Sequence, residues 1–263
     1  MDSLSFDSMA GIYDETRTVD EGCLRAALDF VAKRFPPDTF GQVVYPGIGT
    51  GRIAVPLAAR GYAVTGVDIS ERMLSILRAR LSRFGRPLQI RVLQADAAKL
   101  PLRSEAFDLA IAVHLFYFVR DWRRAADEAL RVVRKSGSVI LMHTGPGAEV
   151  AFINRRYKEL CAAEGHVIRS VGVQSSREVV SYFEECGCAV EEIRGRWQWT
   201  TRVQAGTALS YVGARAYSFT ALTPSRVHQA VMATLAPEVQ AHFRGLETVV
   251  EVPSEIYLVL VAP

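Results

Sequence analysis

Between Gln42 and His143 the chain alternates apolar runs with segments of helical periodicity, and this alternation limits the fold more than any other feature. The apolar runs, read as strands, are Gln42–Tyr45, Ala63–Asp68, Gln89–Gln94, Phe107–His114 and Ser138–His143. Between them the spacing predicts helices over Arg52–Arg60, Glu71–Phe84 and Trp122–Val133; in the second, Met73, Ile76, Leu77, Leu81 and Phe84 mark one face. Strands that are apolar at almost every position, each followed by a helix, belong to a parallel sheet covered on both sides. The crossovers of such a sheet are right-handed. Its ligands bind beyond the carboxyl ends of the strands, where the strand order reverses. The strand ends are therefore where function is sought.

The flanks are less regular. Leu24, Ala27, Leu28 and Val31 predict a helix that runs to about Phe35 and stops at Pro36-Pro37. Beyond Thr144 a helix is expected over Glu149–Ala163, and another opens at Ser175-Ser176-Arg177-Glu178, a capping-box pattern, and ends near Cys186-Gly187. A strand follows to about Trp199. Gln204 to Phe243 reads as helical, broken at Thr223-Pro224 and again at Ala236-Pro237. The closing "VVEVPSEIYLVLVAP" reads as strand, with Pro253 suited to an edge or a bulge because it brings no amide to a ladder.

Composition excludes several classes. A chain of 263 residues with 49% hydrophobic and 22% charged residues has the balance of a globular protein with a sizeable core. A net charge of +3 is too small for a nucleic-acid binder, and the basic clusters "RDWRR" and "RVVRK" fall at helical spacing as solvated faces of a packed helix. No apolar run reaches membrane-spanning length and no leader pattern opens the sequence. Cys23, Cys161, Cys186 and Cys188 form neither a disulfide framework nor a metal-ligand spacing. The expectation is a cytoplasmic protein with reduced thiols and no metal.

Three successive strand ends carry chemistry. "VVYPGIGTG" places Gly47, Gly49 and Gly51 after the first strand, where glycines allow close backbone approach and the next helix offers unpaired amides. Taken alone, a glycine-rich turn is weak evidence. The second strand ends in Asp68, suited to the two hydroxyls of a ribose or, in the simpler alternative, to capping the helix that starts near Ser70. The third ends in "LQADAAKLPL", where Asp96 and the Ala97 amide suit the edge of an adenine, or where Asp96 merely forms a turn. All three in this order are hard to ascribe to chance. A nicotinamide pattern fits poorly, because its third glycine would fall at Arg52.

The segments "VVYPGIGTG", "VTGVDISERML", "VLQADAAKLPL", "FDLAIAVHLFYFVRDW" and "EALRVVRKSGSVIL" resemble successive motifs of the class I S-adenosylmethionine-dependent methyltransferases, in the branch that includes ubiquinone and menaquinone methyltransferases. The resemblance spans about Gln42–His143, and "FDSMAGIYDETR" resembles the start of that branch less specifically. It implies a doubly wound, mostly parallel seven-stranded sheet with a reversed last strand, a Rossmann-like fold with helical lid insertions. It further implies one domain over 1–263: an amino-terminal helical cap to residue 40, a cofactor-binding core over 41–144, and a remainder that holds substrate-lid helices and the last strands.

By the same resemblance S-adenosylmethionine is the cofactor. The loop Gly47-Ile48-Gly49 lies against its methionine part, and Asp68 takes the ribose hydroxyls. Ile69 and Met73 flank the adenine, Asp96 and Ala97 bind its edge, and Val113 lines the sulfonium end. Tyr13 and Arg17 match the family's opening Tyr and Arg. Arg17 suits the cofactor carboxylate, or equally a surface salt bridge. Tyr45 departs from the family, which usually has an acid there to hold the cofactor's ammonium; a phenol is neutral at physiological pH.

Methyl transfer from a sulfonium mainly requires alignment and exclusion of water, with a base only where the acceptor must lose a proton. His114 is the candidate base, or a structural histidine beside the site. Tyr117 is a candidate acceptor contact, or core packing. Tyr157, Trp197, Trp199, Tyr211, Tyr217 and Phe219 offer aromatic surface for a lid or for the core. The function expected is methylation of a small-molecule acceptor. The alternative is a noncatalytic S-adenosylmethionine or S-adenosylhomocysteine binder, or a methyltransferase-like enzyme of non-methyl chemistry. Oligomeric state is not legible in the sequence.

Overall fold

A computed structural model describes residues 3–17, 19–85, 87–146 and 150–263. Its seven strands are β1 (Gln42–Pro46), β2 (Ala63–Asp68), β3 (Ile90–Gln94), β4 (Phe107–Val113), β5 (Val133–Pro146), β6 (Ala189–Gln204) and β7 (Val249–Ala262). They form one sheet in the order β3-β2-β1-β4-β5-β7-β6. The first five pair in parallel, while β7 runs antiparallel to both β5 and β6. This is the expected mostly parallel sheet with a reversed last strand.

Helices α1 (Glu21–Arg34), α2 (Ala54–Ala59) and α3 (Glu71–Ser82) cover one face; Leu28, Leu57 and Leu74 pack there against Val43, Ile111 and Leu258. Helices α4 (Trp122–Val132) and α6 (Ser176–Glu185) cover the other, with Ala126, Ala129 and Phe183 against Val44, Ala110 and Leu141. Arg123 and Arg124 of α4 are exposed while Trp122 and Ala125 are buried, so that basic cluster is a solvated helix face. Side-chain caps fix the helix starts. Asp20 accepts from the Cys23 amide at 2.7 Å, and Ser70 accepts from the Met73 amide at 3.1 Å. At α6 the Glu178 carboxylate accepts the Ser175 amide at 2.9 Å, closing the half of the capping box that the sequence signals most strongly.

A third apolar cluster lies beyond the sheet. Helices α5 (Val150–Ala163), α7 (Ala205–Gly213) and α9 (Ser225–His242) pack Tyr157, Leu209 and Leu235 against Val250 and Val252, with the short α8 (Ser218–Ala221) between α7 and α9. The floor of this layer is the far end of the β6–β7 ladder, which continues from Ile256↔Trp197 to Val249↔Gln204 after β5 has ended opposite Ser254. Pro253 therefore sits where β7 has lost one neighbour, as its missing amide requires.

Four expectations need correction. Pro237 lies inside α9 and does not break it, because Val231, Leu235 and Val239 are buried along one face and packing outweighs one lost backbone bond. The strand β5 begins at Val133, directly after α4, and β6 runs on to Gln204. The helix α2 starts at Ala54, since Gly51 to Ile53 still form the turn. The expected first residue of α5, Glu149, lies outside the described residues.

Candidate functional site

Strand order reverses between β1 and β4, and the site is built over their carboxyl ends. The loop after β1 is stitched to β2: the amides of Gly47 and Ile48 both donate to the Val67 carbonyl, at 2.7 and 3.1 Å. Gly49 has φ 56°, and a Cβ there would meet nothing within 4 Å, so the loop presents open backbone to the cleft. Gly51 is glycine for a different reason. At φ 80° its Cβ would fall 2.3 Å from Leu77 Cδ1, so the loop could not settle on α3.

Two adjoining cavities lie over these strand ends. The narrower, of about 80 Å³, is lined by Gly49, Asp68, Ile69, Met73, Asp96 and Ala97, together with Ser3, Leu4 and Phe6 of the amino-terminal segment. The wider, of about 360 Å³, is lined by Arg17, Tyr45, Arg52, His114 and Asn154, with Trp199, Tyr211 and Tyr217 among its apolar walls. Tyr13, Gly47, Val113 and Phe118 belong to both and form the partition. Of the residues expected at a site, two lie on neither wall. The Ile48 side chain packs down on β2 where a Cβ on Gly66 would stand, and Tyr117 sits half-buried with its ring 6.4 Å from that of His114.

The polar groups are held in defined states. Asp68 accepts the Gly49 amide through Oδ2 at 2.8 Å and the Ser70 amide through Oδ1 at 2.9 Å, while Ser70 itself caps α3. Burial raises the Asp68 pKa above the usual carboxylate range, opposed by those two amides. Asp96 accepts the Ala98 amide through Oδ1 at 2.9 Å. Burial raises the pKa of the Tyr45 phenol far above its usual value, with the neighbouring Tyr13 adding to the effect, so it is a neutral group on the chamber wall.

Arg17 is half-buried. Its guanidinium donates to the Ala216 carbonyl at 2.9 Å and to Thr16 Oγ1 at 2.8 Å, and lies 4.3 Å from the Tyr13 ring centroid. Among the described residues it makes no salt bridge.

β4 stops at Val113, one residue short of the expected strand, because His114 directly after it has φ 52°, in the left-handed region where a side chain costs strain. The Thr144 amide donates to the His114 Nε2 at 2.9 Å, and an amide can only donate, so the neutral ring carries its proton on Nδ1. Burial lowers its pKa to about 4. At neutral pH it is an uncharged ring with a donor left for the chamber.

The amino-terminal segment is fastened across the loop by two carboxylates. Asp7 accepts the Ser70 hydroxyl at 2.5 Å and the Arg72 amide at 3.3 Å, at the start of α3. Asp14 accepts the Thr50 hydroxyl at 2.7 Å and pairs with Arg80. Neither role is visible in local sequence, because each contact joins residues more than thirty positions apart. Arg52 and Asn154 were likewise missed. No pattern in a loop or a lid helix tells which side chain faces a cavity. Among the described residues no three His, Cys, Asp or Glu side chains converge on a metal position.

Residues 44–141, which contain the loop, Asp68 and Asp96, match the family model described as a methyltransferase domain. The chain carries a methyltransferase domain. The sheet order above is that of the Rossmann-like methyltransferase fold. The methyltransferase domain is 35% identical over 103 residues to the phosphatidylethanolamine N-methyltransferase of Cereibacter sphaeroides, covering 39% of this chain and 50% of that protein. It is 31% identical over 130 residues to the demethylmenaquinone methyltransferase of Thermus thermophilus, covering 49% and 56%. The solved structure of the YcgJ protein of Bacillus subtilis shares the fold at a TM-score of 0.60 and 18% identity, covering 89% of this chain and 97% of that one. The chain thus aligns with about half the length of the curated methyltransferases.

Proposed function

We propose that this methyltransferase uses S-adenosylmethionine to methylate a small-molecule acceptor. One observation carries the reading: a narrow cavity with Asp68, Asp96 and the Gly49 loop shares a wall with a wider chamber that holds Arg17 and His114. The donor set fits the cofactor. Asp68 offers its remaining lone pairs to two ribose hydroxyls, and Asp96 with the Ala97 amide offers an acceptor and a donor to the adenine edge. Ile69 and Met73 are the apolar neighbours of the ring. Gly47 and Gly49 leave room for the backbone of the methionine part, and Arg17 is the cation for its carboxylate.

At about 80 Å³ the narrow cavity is well below the size of a ligand cleft. Ser3, Leu4 and Phe6 must therefore move outward to admit adenosine. The Leu4 amide bond to the Phe118 carbonyl, at 2.9 Å, and the edge contact of the Phe6 and Phe118 rings are what that movement breaks.

Bound S-adenosylmethionine supplies a methyl group already activated on sulfur. The protein's part is to fix the acceptor in line and exclude water. Val113, the last residue of β4, lines both cavities, and the His114 Nδ1–H on the wide one is a donor that can orient an acceptor. As a base it is weak, since taking a proton at Nε2 means giving up the Thr144 bond. Trp199 of β6 supplies apolar contact with Tyr211 and Tyr217 of the lid region, and Tyr117, its ring 6.4 Å from that of His114, is a positioning residue.

In this reading residues 1–263 act as one domain, with 1–40 as a cap, 41–144 as the cofactor core and the lid helices after it. The acceptor is a small molecule, not a nucleic acid, and the protein works in the cytoplasm. The test is incubation with methyl-labelled S-adenosylmethionine and a low-molecular-weight metabolite extract. Label entering the small-molecule fraction with wild type, and not with Asp68→Ala, is expected. Label confined to macromolecules, or transferred equally by both proteins, would overturn the reading.

A further inference from the structure

We propose that the acceptor is an anion, an apolar molecule bearing a carboxylate that is held by Arg52. The inference deepens the methyltransferase reading above and rests on it. The wide chamber carries two guanidinium groups, Arg17 and Arg52, and its described lining contains neither Asp nor Glu. Among the described residues neither arginine forms a salt bridge. Arg17 is anchored by the Ala216 carbonyl and Thr16, which orient its charge without cancelling it.

The two groups act on the same space. Burial lowers the Arg17 pKa first, and the like charge of Arg52 adds to that lowering, while Tyr13, Tyr217 and Asp14 oppose it. Burial likewise leads at His114, and both guanidinium groups add to the lowering there. Two half-buried cations facing one chamber are stabilised when an anion joins them, since a partly buried charge gains most from pairing.

The cofactor cannot supply enough negative charge. It brings a sulfonium, an ammonium and one carboxylate, a net charge of +1, into a chamber that already holds two cations. Its carboxylate answers one guanidinium, which leaves the other without a partner. Tyr45, a phenol held neutral by burial, adds no negative charge to the wall. An anionic acceptor supplies that partner.

The rest of the wall limits its kind. Trp199, Val203, Tyr211, Tyr217 and Val252 give the chamber an apolar side, and a volume of about 360 Å³ is that of a small-molecule pocket. A single guanidinium fork matches one carboxylate by two parallel hydrogen bonds. An apolar body with one carboxylate satisfies both surfaces.

The test uses the full chain saturated with S-adenosylhomocysteine and two matched pairs as probes, 3-phenylpropanoate with its amide and octanoate with its amide, titrated by calorimetry. At least one acid is expected to bind about tenfold or more tightly than its amide, as a charge-assisted fork implies. Arg52→Gln should abolish that preference and Arg52→Lys should keep part of it, with S-adenosylhomocysteine affinity changed less than about threefold in either. Equal binding of acids and amides, no binding of either acid, or a preference that survives Arg52→Gln would overturn the proposal.

Failure of wild type to bind S-adenosylhomocysteine would instead overturn the methyltransferase reading. The same pairs titrated without it keep the two failures separate, because a preference for acid over amide that Arg52→Gln weakens is required there as well, Arg17 being free in that arm to hold the rest.

Discussion

Replacing Asp68 by Asn keeps the side chain's size and removes its charge, and the structure gives a magnitude for the result. In the wild type both carboxylate oxygens already accept an amide, Oδ2 from Gly49 and Oδ1 from Ser70, at 2.8 and 2.9 Å. An asparagine has one oxygen, so its NH₂ must face one of those two amides, donor against donor. Leaving a buried donor unpaired costs about 1–3 kcal/mol. The ribose hydroxyl at that oxygen also loses a charge-assisted acceptor, worth about 1.5–3 kcal/mol. Part of the first cost is already present in the free protein and appears as lowered stability. The binding loss is then about 2–4 kcal/mol, or roughly 30- to 1,000-fold in Kd.

Calorimetric titration with S-adenosylmethionine, beside a melting curve for each protein, measures both parts. The pH dependence adds a sign. Burial raises the Asp68 pKa, and the ionised form is the one that accepts two hydroxyls. Wild-type affinity therefore falls as pH drops through that raised value, while Asp68→Asn shows no such fall. An Asn variant that melts normally and binds within about threefold of wild type would refute the reasoning.

Three further outcomes follow from the same geometry. Tyr45→Glu places a carboxylate in the chamber that also holds Arg52, so S-adenosylhomocysteine should bind more tightly than its deamino analogue by a wider margin than in wild type; an unchanged margin in parallel titrations counts against Tyr45 facing the ammonium. Burial lowers the pKa of His114 to about 4 and of His143 to about 3, so both contribute stability that is complete above the unfolded value near 6.5 and is lost as pH falls from there toward those values. The buried His143 Nε2 has no hydrogen-bond partner among the described residues, so His143→Phe should raise the melting temperature, and more at pH 5.5 than at pH 7.5. Gly51→Ala forces a Cβ onto Leu77 at positive φ and should destabilise the fold by about 1–3 kcal/mol in denaturant titration.

Much of the core was legible because its signals are local. A parallel strand is apolar throughout, and its helix follows within a few residues. Thus β2 was expected over the residues it occupies, and Asp68 and Asp96 were identifiable from their places at strand ends. What escaped depends on distant partners. Pro237 reads as a breaker until α9 is seen packed through Val231, Leu235 and Val239. The β6–β7 extension needs its partner to reveal its length, because its residues alternate between polar and apolar as in any exposed ladder. Asp7 and Asp14 look like surface acids until the cap is laid across the loop. The two hydrogen bonds that Asp68 makes to its own loop were equally hidden, although its position was plain.

The central claim is that the two cavities together form one S-adenosylmethionine site. A calorimetric titration of the wild-type chain with S-adenosylmethionine tests it most directly. A saturable heat with one molecule bound per chain is expected, reduced at least about 30-fold in affinity by Asp68→Asn. Absence of any binding heat from correctly folded wild type, across several temperatures, would contradict it.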